Sequence, residues 1–312
     1  MGMTYPPAGS VVTRIEVQRE RRFASNDARS IPLVYAGQEV LPDQPVIRLE
    51  LQNQPGGQGQ PDAPIVIPSG LRGKVVKTTA RGGVVIQTRA ALLTGNIGAG
   101  QQVAGFLTVW QPARSRPSPV PAGAILVIPG YATFTMLRQA IASGVVGIVA
   151  GSIEMRDLKG FLGLDVFDLL NSVDVDTAQA RLPSLTLLFT EGFGSVPMPP
   201  STLQLLTRYQ GAIALLSGVT STRYALYPEL LISLPEAEAQ RNWPPPAFDA
   251  SLRLGARVRV RFGTNAGATG DIDYFFVHQH RFVSGVRGRA VRLRLADGTT
   301  LVVPIMNIER IP

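Results

Sequence analysis

Four side chains in the middle of the sequence have the types that acid–base, nucleophilic or metal chemistry requires. Ser152, Glu154 and Asp157 follow one apolar run, and Glu191 follows another. Three carboxylates that converged could hold Mg²⁺ or exchange protons with a small phosphorylated ligand, and a serine among them could attack only with a base to take its proton. The base is missing locally, because the two histidines, His278 and His280, both lie near the C-terminal end. Ser195, beyond the second apolar run, has the same shortage. The chain has no cysteine, which excludes disulfides, iron–sulfur clusters, thiolate zinc and a cysteine nucleophile. Neither GxGxxG directly after a strand nor GxxxxGK[ST] occurs, so the usual phosphate cradles are missing too. Solvated carboxylates and helix caps are the ordinary roles for Glu154, Asp157 and Glu191. No catalytic centre, metal or cofactor is expected, and these four residues stand only as a candidate ligand crevice.

The second chemistry is charge. Arg257, Arg259 and Arg261 alternate with Val258, Val260 and Phe262, and Arg292 and Arg294 alternate with Val291, Leu293 and Leu295. Successive side chains of a strand point to opposite faces, so each set of arginines shares a face and leaves the apolar set for a core. Arg281, Arg287 and Arg289 extend the patch from the intervening segment. Such a surface contacts RNA or DNA phosphates without reading sequence. A solvated strand edge produces the same alternation. The net charge of +8 comes from 30 Lys/Arg against 22 Asp/Glu. It is concentrated at the two ends: 13 against 7 in residues 1–120 and 10 against 4 in 251–312, with 6 against 8 in 121–235 and 1 against 3 in 236–250.

The elements that must position these residues are short. With 25 Pro and 32 Gly in 312 residues, long helices are disfavoured and a multidomain, mainly β protein with a central α/β domain is expected. Residues 1–110 read as short strands separated by Gly, Pro and Asp turns, with Gln18–Phe23 polar and solvated. Gly95–Gly100 reads as a turn-rich loop. Residues 111–123 read as a Pro-rich linker and a domain boundary. From 124 to 235 the period changes. Ala124–Ile128 is an apolar strand, Thr133 caps a helix, Gly144 ends it, and Val145–Ala150 returns as a buried strand. Leu185–Phe189, a helix from Ser201 or Thr202, and Ala212–Leu216 complete a small α/β layer. Residues 236–250 form a second Pro-rich linker. In 251–312, alternating strands, the Asp297-Gly298 hairpin signal and a tight turn at Pro304–Asn307 predict a five-stranded barrel.

Two resemblances attach to these segments. The Gly37-Gln38-Glu39-Val40 turn before Pro45-Val46-Ile47, with the later Ser69-Gly70-Leu71-Arg72-Gly73-Lys74-Val75, resembles the half-motifs of biotinyl/lipoyl-type barrel-sandwich hybrid domains. That resemblance implies a flattened barrel of two similar halves. A carrier of this type has its modified lysine in the hairpin between the halves, whereas residues 51–64 contain none. At the other end, Val258-Arg259-Val260, Gly267-Ala268-Thr269-Gly270, Ile272, Val291–Leu295, Asp297-Gly298 and Val303–Glu309 resemble a KOW-type SH3-like module of transcription elongation factors and ribosomal proteins. The segment Phe275–Gly288 is longer than a compact KOW motif has. The whole order is similar to a bacterial multidomain family associated with filamentous Chloroflexota, which implies an architecture and no particular activity.

A non-enzymatic binding or assembly protein follows, associated with RNA or transcription through its C-terminal barrel. A homomeric or multiprotein scaffold without nucleic acid is the alternative, and an enzyme acting on a small phosphorylated ligand at the α/β crevice is a third. Protein partners or self-association fit the first two. No run reaches the ~18 apolar residues of a membrane span, and the N-terminus lacks a signal-peptide pattern. A cytoplasmic chain without membrane insertion is the expectation.

Overall fold

The computed structural model describes residues 11–24, 28–51, 65–110, 120–224, 226–240, 252–260, 265 and 267–310. The chain divides into two units, Val11–Pro246 and a smaller one built on Ala247–Pro312. It is mainly β, with several sheets and few helices.

The larger unit starts with strands β1 (Val11–Arg21), β2 (Ala28–Pro32), β3 (Glu39–Val40), β4 (Pro45–Leu51), β5 (Ile65–Pro68), β6 (Gly73–Thr78), β7 (Val84–Thr94), β8 (Ile97–Ala99) and β9 (Val103–Val109). It continues through β10 (Ala124–Ala132), α1 (Phe134–Ala142), β11 (Gly147–Ile153), α2 (Met155–Leu162), α3 (Val166–Leu170), α4 (Val175–Ala180) and β12 (Thr186–Phe193). Helix α5 (Pro200–Arg208), β13 (Ile213–Ser217), β14 (Glu229–Ser233) and α6 (Glu236–Ala239) complete it. One sheet runs β3-β6-β7-β14-β13-β9-β10-β11-β12-β8, with β1 paired to β7, while β2, β4 and β5 form a separate sheet.

The expected boundary at 111–123 falls inside that sheet. β9 and β10 are parallel neighbours with Leu107 opposite Ile125, and β7 pairs antiparallel with β14. The N-terminal strands and the α/β segment therefore share one hydrogen-bonded layer. A proline-rich run looks like a break because it cannot pair; it says nothing about the strands on either side of it. Residues 111–119 of that run, 241–250 of the second linker and 52–64 of the expected hairpin lie outside the described residues.

Strands β9 to β12 are parallel, and β10 and β11 are buried almost throughout because both faces are covered. Alternation divides their side chains. Leu126, Ile128, Ile148, Leu187 and Phe189 pack with Leu137 of α1, Leu158 of α2 and Leu169 of α3. Ile125, Val127, Val149 and Leu188 pack with Leu205 and Leu206 of α5 and with Leu230 and Ile232 of β14. Local signals set the helix ends. Thr133 Oγ1 accepts the Met136 N–H at 3.4 Å, and Gly144 turns the chain out of α1 at φ +73°.

Residues 18–21 are not the solvated segment that their composition suggests. They continue β1 along β7, and Arg19 and Arg21 are buried. Arg19 donates Nε to Glu229 Oε1 at 2.7 Å and Nη2 to Oε2 at 2.9 Å. Arg21 donates to the carbonyls of Pro68 and Gln102, and burial pushes its guanidinium down to about 10. The expected loop at Gly95–Gly100 contains β8, where a Cβ on Gly98 would stand 2.4 Å from the Leu187 carbonyl oxygen. This glycine serves close strand packing against β12.

The smaller unit contains β15 (Arg257–Val260), β16 (Thr269–Phe275), β17 (His280–Arg281), β18 (Arg287–Gly288), β19 (Ala290–Leu295), β20 (Thr300–Pro304), a 3₁₀ turn at Ile305–Asn307 and β21 (Ile308–Arg310). Five strands form an antiparallel sheet in the order β20-β19-β16-β15-β21, and β17 pairs with β18 as a separate ribbon. Val258, Val260, Ile272, Val291, Leu293 and Val303 supply its core. Gly298, at φ +81°, closes the β19–β20 turn by donating to the Leu295 carbonyl.

Candidate nucleic-acid interface

The arginines expected to form one platform divide into four situations. Arg257 is exposed, opposite Asp271 on β16. Arg259 is buried; directly across β21 from it stands Glu309, also buried, and Arg259 Nε donates to Glu309 Oε1 at 2.7 Å. This corrects its assignment to an outward face, because the same alternation that suggested the face turns Arg259 toward an acidic partner 50 positions away. Arg261 lies outside the described residues. Arg292 and Arg294 project together as alternation requires, but they share Asp273, at 2.8 and 3.4 Å. The hydrogen bond from Arg292, with help from Arg294, holds the Asp273 carboxyl below its ordinary 3.8, and Asp273 in turn raises Arg292.

Arg281, Arg287 and Arg289 are exposed. Arg281 and Arg287 oppose each other across the β17–β18 ribbon, and Arg289 lies between β18 and β19. Like charges set opposite each other disfavour the pairing. From Tyr274 to Ala296 the sequence has five arginines and no carboxylate. Val283 and Val286 in the turn between β17 and β18, and Val277 before β17, are exposed as well.

A feature that the charge pattern did not reveal is a row of rings. The centroids of Tyr274 and Phe276 are 5.1 Å apart, those of Phe276 and His280 5.1 Å, and those of His280 and Phe282 5.0 Å. Tyr274 is opposite Arg292 in the β16–β19 register, and the Arg292 guanidinium carbon lies 5.6 Å from the Tyr274 ring centre. The signal was the spacing itself: Tyr274 and Phe276 alternate with Phe275, which packs on the core.

The four central crevice residues occupy different surroundings. Ser152 is fully buried, and its hydroxyl lies 2.9 Å from the Gly194 carbonyl oxygen and 2.8 Å from that of Val196. Met198 N–H donates to the Pro129 carbonyl at 2.8 Å. The segment 194–198 thus covers the ends of β10 and β11, where an open α/β sheet would offer its ligand crevice. Asp157 Oδ2 accepts the Phe134 N–H at 3.1 Å, which places it at the start of α1. Glu154 occupies the N-cap position of α2 without a side-chain capping hydrogen bond and is exposed, and Glu191 is half-buried in β12. Among the described residues no group of three His, Asp or Glu is placed to hold a metal. Nor is any helix among them long and apolar enough to cross a membrane.

No family model, curated protein or solved structure matches this chain.

Proposed function

We propose that this chain is a non-enzymatic binding protein whose smaller unit holds RNA or DNA through phosphate contacts. The observation that carries the reading is the acid-free stretch Tyr274–Ala296, with Arg281, Arg287 and Arg289 exposed on and beside a two-stranded ribbon. Phosphate binding by such arginines releases counterions and leaves base identity unread. The resemblance of 258–309 to KOW-type SH3-like modules supports the same reading, with the five-stranded sheet taken as that barrel. The interface is moved from the strand Arg257–Arg261 to the ribbon, because Arg259 is committed to Glu309.

The test is fluorescence anisotropy of the full chain with a labelled oligonucleotide across a salt series. Affinity should fall linearly on a log–log plot. The variant carrying Arg281→Ser, Arg287→Ser and Arg289→Ser should bind more weakly, with a slope smaller by about 2–3. Circular dichroism should be unchanged, since the three side chains are exposed. Absence of binding at low salt, or a variant that binds as the parent does, sinks the reading.

A further inference from the structure

We infer that the ring row Tyr274, Phe276, His280 and Phe282 makes this surface selective for single-stranded nucleic acid, whose unpaired bases lie on the rings while the arginines hold the phosphates. The inference rests on the phosphate-binding reading above and adds the recognition of bases. Consecutive rings meet at 88°, 49° and 71° rather than in parallel, so no ring is stacked face to face on the next. Tyr274 is 44% exposed, and the other three are partly exposed. Phe275 turns to the core, which sends its neighbours Tyr274 and Phe276 away from it.

Charge identifies the occupant. Arg292 lies over Tyr274 at one end of the row, and Arg281 stands between His280 and Phe282 in sequence at the other. Arg281 belongs to the opposite side of β17 from the rings by alternation, and Arg287 is paired across the ribbon from it. Asp273 pairs with Arg292 at the Tyr274 end, and from Tyr274 to Ala296 no carboxylate follows; rings among arginines suit a polyanion that carries planar groups at regular intervals. Single strands meet that description, and a duplex does not, because its bases are stacked and paired inside.

The test compares three probes of equal length with the full chain at one salt concentration: oligo(dT), an abasic strand with the same phosphates, and a duplex. One stacked base at the low end of aromatic stacking strength gives about a five-fold preference, so oligo(dT) should bind at least about five-fold more tightly than the abasic strand, and more tightly than the duplex. Tyr274→Leu with Phe282→Leu keeps apolar side chains and removes two rings. It should cut the preference for oligo(dT) over the abasic strand and leave abasic binding unchanged. The comparison on the unaltered protein stands alone if that variant does not fold. Equal binding of oligo(dT) and the abasic strand overturns the inference and leaves the phosphate reading in place. A folded variant that keeps the full preference overturns the assignment to these rings, and failure of all three probes to bind overturns both readings.

Discussion

Arg259 and Glu309 face each other across β15 and β21 with side chains only 5% and 3% exposed, and they close an ion pair inside the smaller unit. Two buried charges have lost most of their hydration, so each depends on the other. Arg259→Ser should therefore leave Glu309 charged and uncompensated and destabilise the unit by about 3–5 kcal/mol. The double replacement Arg259→Met with Glu309→Leu removes both charges and should cost much less. Amide hydrogen exchange at Val258 and Val260 reads this directly, because both lie in β15 beside the pair. A single variant as protected as the parent, or a double variant as weak as the single, would refute it.

Asp273 restrains the charge of Arg292 and Arg294. Its carboxyl is held low chiefly by the Arg292 hydrogen bond, so the stabilisation is present above the ordinary value of 3.8 and is lost as pH falls through the lower folded value. An NMR titration of the Asp273 carboxyl should find its midpoint below 3.8. Asp273→Asn removes the competitor. On the proposed function, oligonucleotide affinity should rise and the salt slope should steepen by about one. Unchanged affinity would mean that these two arginines do not meet phosphate.

Local signals survived in the structure, and distant ones did not. Thr133, Gly144 and the Asp297-Gly298 turn act on their own neighbours, so a short stretch of sequence is enough to read them. The alternation of Val258, Val260, Val291 and Leu293 likewise located a core face. It could not say where the arginines end. Arg19 meets Glu229 across 210 positions and Arg259 meets Glu309 across 50, and no local pattern marks either partner. The joining of the N-terminal strands to the α/β segment was hidden for the same reason, since β7 and β14 are paired only through the fold. In the central segment, Ser152 was singled out by residue type and position after a strand. Its role was decided by carbonyls 42 and 44 residues later.

Modification offers a further check on the N-terminal resemblance. Lys74 and Lys77 are exposed, but both lie within β6, paired opposite Gln87 and Val85, rather than at a protruding turn. A carrier lysine must reach the modifying enzyme and then swing freely. Intact mass spectrometry should accordingly give the sequence mass of 33.4 kDa without a lipoyl or biotinyl addition. A stoichiometric addition on either lysine would contradict the reading.

Two glycines at the covered ends of β10 and β11 separate packing from conformational freedom. At Gly151 an added Cβ would stand 2.5 Å from both the Met198 nitrogen and the Val196 carbonyl oxygen. Both are backbone atoms, so no side chain can rotate away and the 194–198 segment must move. At Gly130, in β10, the same addition meets nothing within 4 Å. Neither glycine has the positive φ that would strain any other residue. Gly151→Ala should therefore destabilise the larger unit by about 1–3 kcal/mol, as overpacking does, and speed proteolysis within 194–198. Gly130→Ala should stay within about 0.5 kcal/mol of the parent. Urea denaturation followed by circular dichroism, with limited proteolysis of the folded proteins, compares the two. If Gly151→Ala is as stable as Gly130→Ala and its 194–198 segment is cut no faster, that segment is not packed on β11, and the crevice it covers must be reconsidered as a ligand site.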